Sequence, residues 1–181
     1  MSVDRARLRE ATEMQARIDP LPASAAALWR AFLHASGTPA DASGRLYDVM
    51  RVGDTAASAD AGARLILAGV KTATSSLPGE YGAGRDPPAA GSFSIVLDGR
   101  DRAVCIIETL GVVPRPFREI DAAFARDYGE WDLTLATWRR ECGAYYATLA
   151  GRLGLLWSQD TPLLCERFRL VFAAPGSDGR P

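Results

Sequence analysis

Residues 67–77 read Leu67-Ala68-Gly69-Val70-Lys71-Thr72-Ala73-Thr74-Ser75-Ser76-Leu77 and join two different kinds of pattern. In front of them, small and apolar residues recur at helical spacing between Ala57 and Ala68, and Gly69 is a typical residue to end a helix. Behind them lies a loop rich in Gly and Pro over residues 78–91. The stretch therefore predicts a helix over 57–68 and a short strand near 71–76.

Lys71 is the first candidate for chemistry in this stretch. Of the 21 basic residues, it is the only lysine, and the other 20 are arginine. Desolvation can lower the pKa of a lysine until its neutral amine acts as a base, whereas an arginine stays protonated. The alternative is an exposed lysine at a helix C-terminus, which the helix dipole favours. A helical turn would place Lys71 and Thr74 on one side, and an extended backbone would place them on opposite faces.

Composition places the chain among compact globular proteins. Its 181 residues, 48% hydrophobic and 24% charged, suffice for one domain with a real core. A net charge of −1 argues against a long contact with duplex nucleic acid, because each phosphate contact needs a cation in surplus. With a single His, His34, and no Asn, the chain has neither a two-histidine acid–base pair within one subunit nor a Cys-His-Asn triad.

The cysteines and the apolar runs indicate the compartment. Cys105, Cys142 and Cys165 are scattered and form no C-x-x-C pair, so we expect buried, reduced thiols and no metal site or cofactor. No apolar run reaches the length of about 20 residues that spans a membrane. The charged N-terminus lacks the apolar stretch of a signal peptide. We therefore expect a cytoplasmic protein that makes no membrane contact.

Hydrophobic periodicity and turn residues predict the other elements. Strands over 92–97 and 102–113 form a hairpin through Asp98-Gly99. The predicted helices are one capped by Ser24 that presents Leu28 and Phe32 and ends before Gly37, one over 119–128, and a longer one that begins after Asp132 or Thr134. The apolar stripe of the longer helix is predicted to comprise Trp138, Cys142, Tyr145, Leu149 and Leu153.

The order of these elements predicts an α+β fold. A last strand over 163–172 and further short strands near 46–52, 71–76 and 109–113 would complete a small curved sheet or barrel. The domain is expected to span residues 23–173. Residues 1–22 form an N-terminal extension with a polar helix or frayed tail over 1–19, and residues 174–181 are predicted to be a disordered tail.

Two carboxylates stand in apolar strands. Glu108 shares a face with Val104 and Ile106, where it is either a strand-end residue that reaches water or a site residue in the mouth of a barrel. Glu166 poses the same question on the last strand. There, an ion pair with a neighbouring arginine is the favoured interpretation.

The segment Tyr128-Gly129-Glu130-Trp131-Asp132 allows two interpretations. As a structural element, Asp132 caps the following helix and Trp131 packs as a hydrophobic staple. As a functional element, it offers a carboxylate beside a ring on which a nucleobase can stack.

Several segments together resemble the ASCH domain family. Residues 67–77 carry its G-x-K-T-A-T signature. The resemblance covers residues 24–173, in the order and spacing of the larger bacterial branch. The other matching segments are Val96-Leu97-Asp98-Gly99 running into Val104-Cys105-Ile106-Ile107-Glu108-Thr109, then Gly129-Glu130-Trp131-Asp132-Leu133-Thr134-Leu135 with Trp138-Arg139, and Pro162-Leu163-Leu164-Cys165-Glu166-Arg167-Phe168.

The resemblance implies a fold, a ligand and a site. ASCH domains have a PUA-like fold, a small β-barrel flanked by helices, and are regarded as RNA-binding modules. Some bacterial members resemble ribonucleases or amidohydrolases that deacylate acetylcytidine. Their Lys and Thr in K-x-x-T fall on Lys71 and Thr74, and their downstream Glu falls on Glu130, with Glu108 as second choice. The implied enzyme is a hydrolase that needs no metal.

The expected partner is RNA or a nucleoside-type small molecule. Its pocket would lie between the 69–77 and 128–132 loops, where Thr72, Ser75, Trp131 and Asp132 are the expected binding residues. A non-catalytic RNA-binding or regulatory module and a sensor of nucleoside-like ligands are the alternatives. The chain departs from the family where E-G-E-G-D reads Tyr128-Gly129-Glu130-Trp131-Asp132, and where many relatives carry a His but this chain has Cys142.

Overall fold

The structure, a computed structural model, describes residues 21–82 and 84–176. The predicted helix or tail over residues 1–19 lies outside the described residues, as does all but the end of the N-terminal extension. Residues 177–181 of the predicted tail also lie outside them. In the part of the chain that is described, no helix is both long and apolar enough to cross a membrane.

The first half of the described chain confirms the predicted helix–strand junction. Helix α2 is held at its start by Thr55, whose side chain accepts a hydrogen bond from the Ser58 amide. The chain leaves the helix through Gly69, which has a φ of +70°. The elements are α1 (Ala23–Leu33), β1 (Leu46–Arg51), α2 (Ala56–Leu67) and β2 (Ala73–Ser76).

The second half confirms the hairpin and the two later helices. Asp98 closes the hairpin turn, since its carboxylate accepts hydrogen bonds from the Arg100 and Arg102 amides. Thr134 rather than Asp132 is the N-cap of the long helix. The elements are β3 (Phe93–Leu97), β4 (Ala103–Pro116), α3 (Ala122–Tyr128), α4 (Leu135–Arg152) and β5 (Pro162–Ala173).

The five strands form one open sheet in the order β1-β3-β4-β5-β2. Strand β1 runs parallel to β3, and the other neighbours are antiparallel. The prediction of an α+β fold is confirmed, but the prediction of a closed barrel is wrong. A barrel needs its first and last strands to pair. Here β1 and β2 lie at opposite edges with three strands between them.

Helices cover both faces of the sheet. Because side chains alternate along a strand, β3 directs Ile95 toward α1 and Val96 toward α2. On β5, Cys165 packs with α3 and α4, while Phe168 packs with α2. We call these two sides the α4 face, which carries Cys165, and the α2 face, which carries Phe168.

Two local predictions are wrong. Ser24 does not cap α1, which begins one residue earlier after Pro22; its hydroxyl accepts a hydrogen bond from the Ala103 amide instead. In α4, the predicted stripe residue Tyr145 is 45% exposed, and its neighbour Tyr146 is buried instead. Leu153, the last residue of the predicted stripe, is also exposed and lies just beyond the helix end. The helix buries Cys142 and the residue four positions later, as a 3.6-residue period requires.

The expected burial of the cysteines is confirmed. Cys105, Cys142 and Cys165 are all free thiols in the hydrophobic cores. Burial raises the pKa of Cys105 to about 12 and that of Cys165 to about 11.

Candidate functional site

Lys71 is enclosed beneath the loop that follows α3. Its side chain has 0% exposure. Its ammonium group donates to the Tyr128 carbonyl at 2.9 Å, lies 2.7 Å from Glu130 Oε1 and stands 3.5 Å from the centre of the Tyr128 ring. The interpretation of Lys71 as an exposed helix-end residue is therefore wrong. The structure does bring together Lys71 and Glu130, the first-choice carboxylate of the predicted set.

Burial is the main influence on the Lys71 amine. It lowers the pKa of Lys71, and the Glu130 carboxylate acts in the opposite direction. This is the behaviour that distinguishes a lysine from an arginine at such a position. The same pocket raises the pKa of the Cys142 thiol to about 12, again chiefly through burial.

Gly129 seats the 129–133 loop directly on the backbone of Lys71. Its φ is +79°, and a Cβ atom at this position would lie 2.6 Å from the Lys71 Cα. Trp131 follows in the same left-handed region, with a φ of +55°. The residue is 48% exposed, and its ring is nearly parallel to the Tyr128 ring, with 5.9 Å between centres. A glycine at 129 is thus required by both conformation and space.

Asp132 stabilises the start of α4. Its carboxylate accepts hydrogen bonds from the Thr134 amide and hydroxyl and from the Thr137 hydroxyl. The Thr134 amide is the main cause of the lowered pKa of Asp132. These contacts give Asp132 a structural role, although it supports the N-cap residue Thr134 rather than capping the helix itself. Trp131 remains accessible for stacking.

The backbone after Lys71 is extended, and this separates Thr74 from Lys71. The Thr72 carbonyl accepts from the Phe168 amide, and Thr74 pairs with Glu166 across β2 and β5. Residues opposite each other in an antiparallel pair point to the same face. Thr74 therefore joins Glu166 on the α2 face, whereas Lys71 points to the α4 face. The helical-turn alternative is wrong.

Ser75 and Thr72 have structural partners. The Ser75 hydroxyl, on the α4 face, accepts a hydrogen bond from the Tyr146 hydroxyl at 2.8 Å. The Thr72 amide donates to the Asp127 carbonyl at 2.8 Å, and its hydroxyl donates to the same oxygen at 3.4 Å. Thr72 thus ties the start of β2 to the end of α3.

Glu108 lies away from Lys71. One carboxylate oxygen is 3.0 Å from Arg45 Nη2, and the other is 2.6 Å from Arg169 Nη2. Arg169 alternates with Glu166 along β5, so this ion-pair network belongs to the face opposite Glu166. The structure therefore separates Glu108 from both Thr74 and Glu130.

Glu166 belongs to a group of polar residues that the sequence patterns did not bring together. It is 9% exposed, and the Thr109 hydroxyl donates to its Oε1 at 2.7 Å. The predicted ion pair with an arginine is wrong, because the neighbouring Arg167 points to the other face and pairs with Asp127. Burial raises the pKa of Glu166, the Thr109 bond lowers it, and the charge of Asp48 raises it.

Hydroxyl and charged groups surround Glu166. The Ser76 and Tyr81 hydroxyls are 2.8 Å apart, and Arg85 pairs with Asp48. The guanidinium of Arg85 also lies over the rings of Tyr47 and Tyr81, at 5.2 and 5.9 Å from their centres. We call this region the polar cleft. It comprises Asp48, Thr74, Ser76, Tyr81, Arg85, Thr109 and Glu166.

Two atoms of the polar cleft are free to meet a ligand. Among the described residues, Trp138 Nε1 is the one fully buried side-chain polar atom without a hydrogen-bond partner. Glu166 Oε2 and Thr74 Oγ1 have no partner within the described residues either, so both must retain contact with solvent. Each atom is thereby available for a hydrogen bond with a ligand.

The sequence could have indicated only part of this cleft. A carboxylate alternating with apolar residues on β5 was a visible signal at Glu166. No signal connected it to Asp48, Tyr81 and Arg85, since these come from segments distant in sequence that only the tertiary fold brings near Glu166. Within residues 21–82 and 84–176, no three His, Cys, Asp or Glu side chains are grouped so as to hold a metal ion.

A separate cavity of about 150 Å³ lies on the α4 face. Its guanidinium groups, on Arg115 and Arg167, pair with Asp121 and Asp127. It is lined by Leu110, Gly111, Val113, Arg115, Phe124, Cys165 and Arg167.

Comparison with known proteins agrees with the fold. The crystal structure of an ASCH domain from Lactobacillus crispatus JV V101 is 24% identical, with a TM-score of 0.77 over 85% of this chain and 98% of that one. Protein EF3133 from Enterococcus faecalis V583 is 25% identical, with a TM-score of 0.73 over 84% of this chain and 95% of that one. No curated protein matches. The ASCH domain model matches residues 48–172, and the chain therefore belongs to the ASCH domain family.

Proposed function

We propose that this protein binds RNA or a modified nucleobase or nucleoside, and that the polar cleft is the binding site. ASCH domains are generally RNA-binding. The observation that carries the proposal is the pair of atoms without protein partners, Thr74 Oγ1 and Glu166 Oε2, the latter on a residue that is 9% exposed. A ligand can supply hydrogen-bond partners to such atoms in place of water.

The wall of the cleft suits a nucleotide. Arg85 offers guanidinium donors, and Tyr47 and Tyr81 offer rings beside them. Single-stranded nucleic acids are recognised by stacking on such rings and by hydrogen bonds to base edges, with arginine contacting phosphate. The net charge of −1 favours a small or single-stranded ligand over a duplex.

Binding of nucleosides and short single-stranded RNA tests this proposal. Thr74→Val removes one free hydroxyl with little change in shape, and Arg85→Gln removes the guanidinium of the wall. We expect each to weaken binding about five- to tenfold or more. Arg115→Gln is the matched control, since Arg115 is also half-exposed and paired with an aspartate, but lies on the α4 face.

The result that contradicts the proposal is equal loss of affinity in Arg85→Gln and Arg115→Gln. Such a result would reflect a general loss of positive charge. Thermal unfolding of each variant accompanies the binding assay, because a ligand that binds only the folded protein raises the Tm.

Hydrolysis of the bound nucleoside is a second candidate function. The observation that favours it is the buried Lys71 amine, 2.7 Å from Glu130 and with a lowered pKa. A neutral amine is a competent base. In this proposal, Lys71 takes a proton from a water, because Thr74 points to the other face, and Glu130, rather than Glu108, positions the attacked group. Because the Lys71 side chain has 0% exposure, the reaction requires the 129–133 loop to move so that the water can reach the amine.

Release of acetate from acetylcytidine separates the two functions. Lys71→Met removes the amine and leaves the polar cleft intact. A hydrolase would lose turnover in this variant and keep nucleoside binding. Turnover equal to that of the wild type would refute the hydrolytic role of Lys71.

A further inference from the structure

We propose that the cavity on the α4 face is a binding site for a small aromatic carboxylate, whose ring fills the cavity and whose carboxylate binds Arg167. The cavity has a volume of about 150 Å³ and is lined by residues of β4, β5 and α3. The site is independent of the polar cleft, because it lies on the other face of the sheet and takes a different class of ligand.

Gly111 leaves room for a ligand at the cavity wall. It lies in β4 opposite Arg167 of β5, and nothing lies within 4 Å of a Cβ atom added to it. Residues opposite each other in an antiparallel pair point to the same face, so a side chain at 111 would enter the space beside Arg167. The φ of Gly111 lies outside the left-handed region, and its backbone therefore does not require glycine. The missing side chain is what keeps this space open.

A β-bulge beside Gly111 adds an apolar side chain to the same wall. The register of β4 with β5 shifts between Thr109 and Gly111. A bulge changes the direction of the side chain at the extra residue, and Leu110 lines the cavity together with Val113. Both side chains belong to residues that are more than half exposed, at 53% and 52%. The cavity therefore has apolar surface that a ligand can remove from water.

The volume and the lining of the cavity suit one aromatic ring. Phe124 and Cys165 form the buried part of the wall, and the Cys165 thiol donates to the Leu163 carbonyl at 3.8 Å. An apolar cavity of about 150 Å³ in another protein is large enough to bind benzene. Small-molecule sites combine such an apolar lining with a few polar groups that orient the ligand.

Arg167 supplies the donors for the carboxylate. Its guanidinium lies at the cavity wall, 5.7 Å from the centre of the Phe124 ring. Its Nη1 donates to Asp127, while Nε and Nη2 have no hydrogen-bond partner among the described residues. Nε–H and Nη2–H point the same way and match the two oxygens of a carboxylate. The cavity thus places a free bidentate donor pair beside an apolar space, which fits a ring that carries a carboxylate.

Titration calorimetry of the full chain with benzoate tests this inference. Benzyl alcohol has the same ring without the charge, and acetate has the carboxylate without the ring. We expect benzoate to bind at least about tenfold more tightly than either compound. Cytidine should not compete with benzoate, because the polar cleft is on the other face.

Two variants, each with a matched control, locate the site. Gly111→Leu fills the cavity, and Gly44→Leu is its control, since nothing lies within 4 Å of a Cβ added at Gly44 either. Arg167→Gln removes the guanidinium. Arg169→Gln is its control, because Arg169 lies on the same strand and also pairs with a carboxylate, but does not line the cavity.

We expect Gly111→Leu to abolish benzoate binding and Arg167→Gln to weaken it about tenfold, while both controls bind like the wild type. Thermal unfolding without ligand shows whether each variant is folded, and the comparison of the three compounds on the wild type holds even if one variant is not. The inference is overturned if the wild type does not bind benzoate at millimolar concentration, if benzyl alcohol binds as tightly as benzoate, or if folded Gly111→Leu keeps the wild-type affinity.

Discussion

Replacement of Gly129 by alanine tests how the 129–133 loop is seated on Lys71. The new methyl group would lie 2.6 Å from the Lys71 Cα, 2.7 Å from the Val70 carbonyl oxygen and 2.8 Å from the Lys71 nitrogen. All three are backbone atoms, so no side-chain rotation can relieve the contact. The loop or the start of β2 must shift.

The expected loss in the free energy of unfolding has two parts. Alanine in the left-handed region costs about 1–2 kcal/mol. Forcing a methyl group into a closely packed site costs about 1–3 kcal/mol more. We therefore expect Gly129→Ala to lower the free energy of unfolding by about 2–5 kcal/mol.

Gly69→Ala is the matched control. Gly69 has a φ of +70°, but nothing lies within 4 Å of an added Cβ, so only the conformational cost of about 1–2 kcal/mol applies. Urea unfolding of both variants, compared at equal m-values, measures the difference. A Gly129→Ala loss no larger than that of Gly69→Ala would refute the close contact with Lys71.

Three further predictions concern the buried polar groups. The pKa of Lys71 is lower in the folded protein than in the unfolded chain, so between those two pKa values the unfolded chain binds more protons. Wild-type stability therefore rises with pH in that range, and we expect this rise to disappear in Lys71→Met. For Glu166→Gln, the change of stability with pH has the opposite sign. Because the folded protein raises the pKa of Glu166, wild-type stability falls as the pH rises above the ordinary pKa of a glutamate, and the stability of the variant relative to the wild type should grow. Urea unfolding over a pH series checks both, and a pH-independent difference from wild type would contradict either. Tyr146→Phe should cost about 0.5–1.5 kcal/mol by chemical unfolding, since Ser75 loses its hydrogen-bond donor; no loss would contradict that bond.

Local patterns predicted the secondary structure well. The helix that ends shortly before Gly69, the hairpin closed by Asp98 and the strand around Glu166 all depend on residues close in sequence. The closed barrel was wrong because closure depends on which strands pair across the chain. Neither edge strand carries a sequence signal for its partner. Strand β1 pairs in parallel with β3 rather than with β2, and the sheet therefore stays open.

In the candidate site, too, local sequence predicted some features, while others depend on how the strands pair. The single lysine was informative because burial lowers the pKa of a lysine far more readily than that of an arginine, and Lys71 is indeed buried beside Glu130. The partnership of Thr74 depends on whether three residues are helical or extended, and the pairing with β5 settles it. Thr109 is far from Glu166 in sequence, so only the register of β4 with β5 explains why that carboxyl needs no arginine.

Amide chemical-shift mapping with cytidine is the most direct test of the binding site. We expect the largest shifts at Thr74, Thr109 and Glu166, with smaller ones at Tyr81, all on the α2 face. Largest shifts at Arg115 and Arg167, around the cavity on the α4 face, with an unperturbed polar cleft, would contradict it.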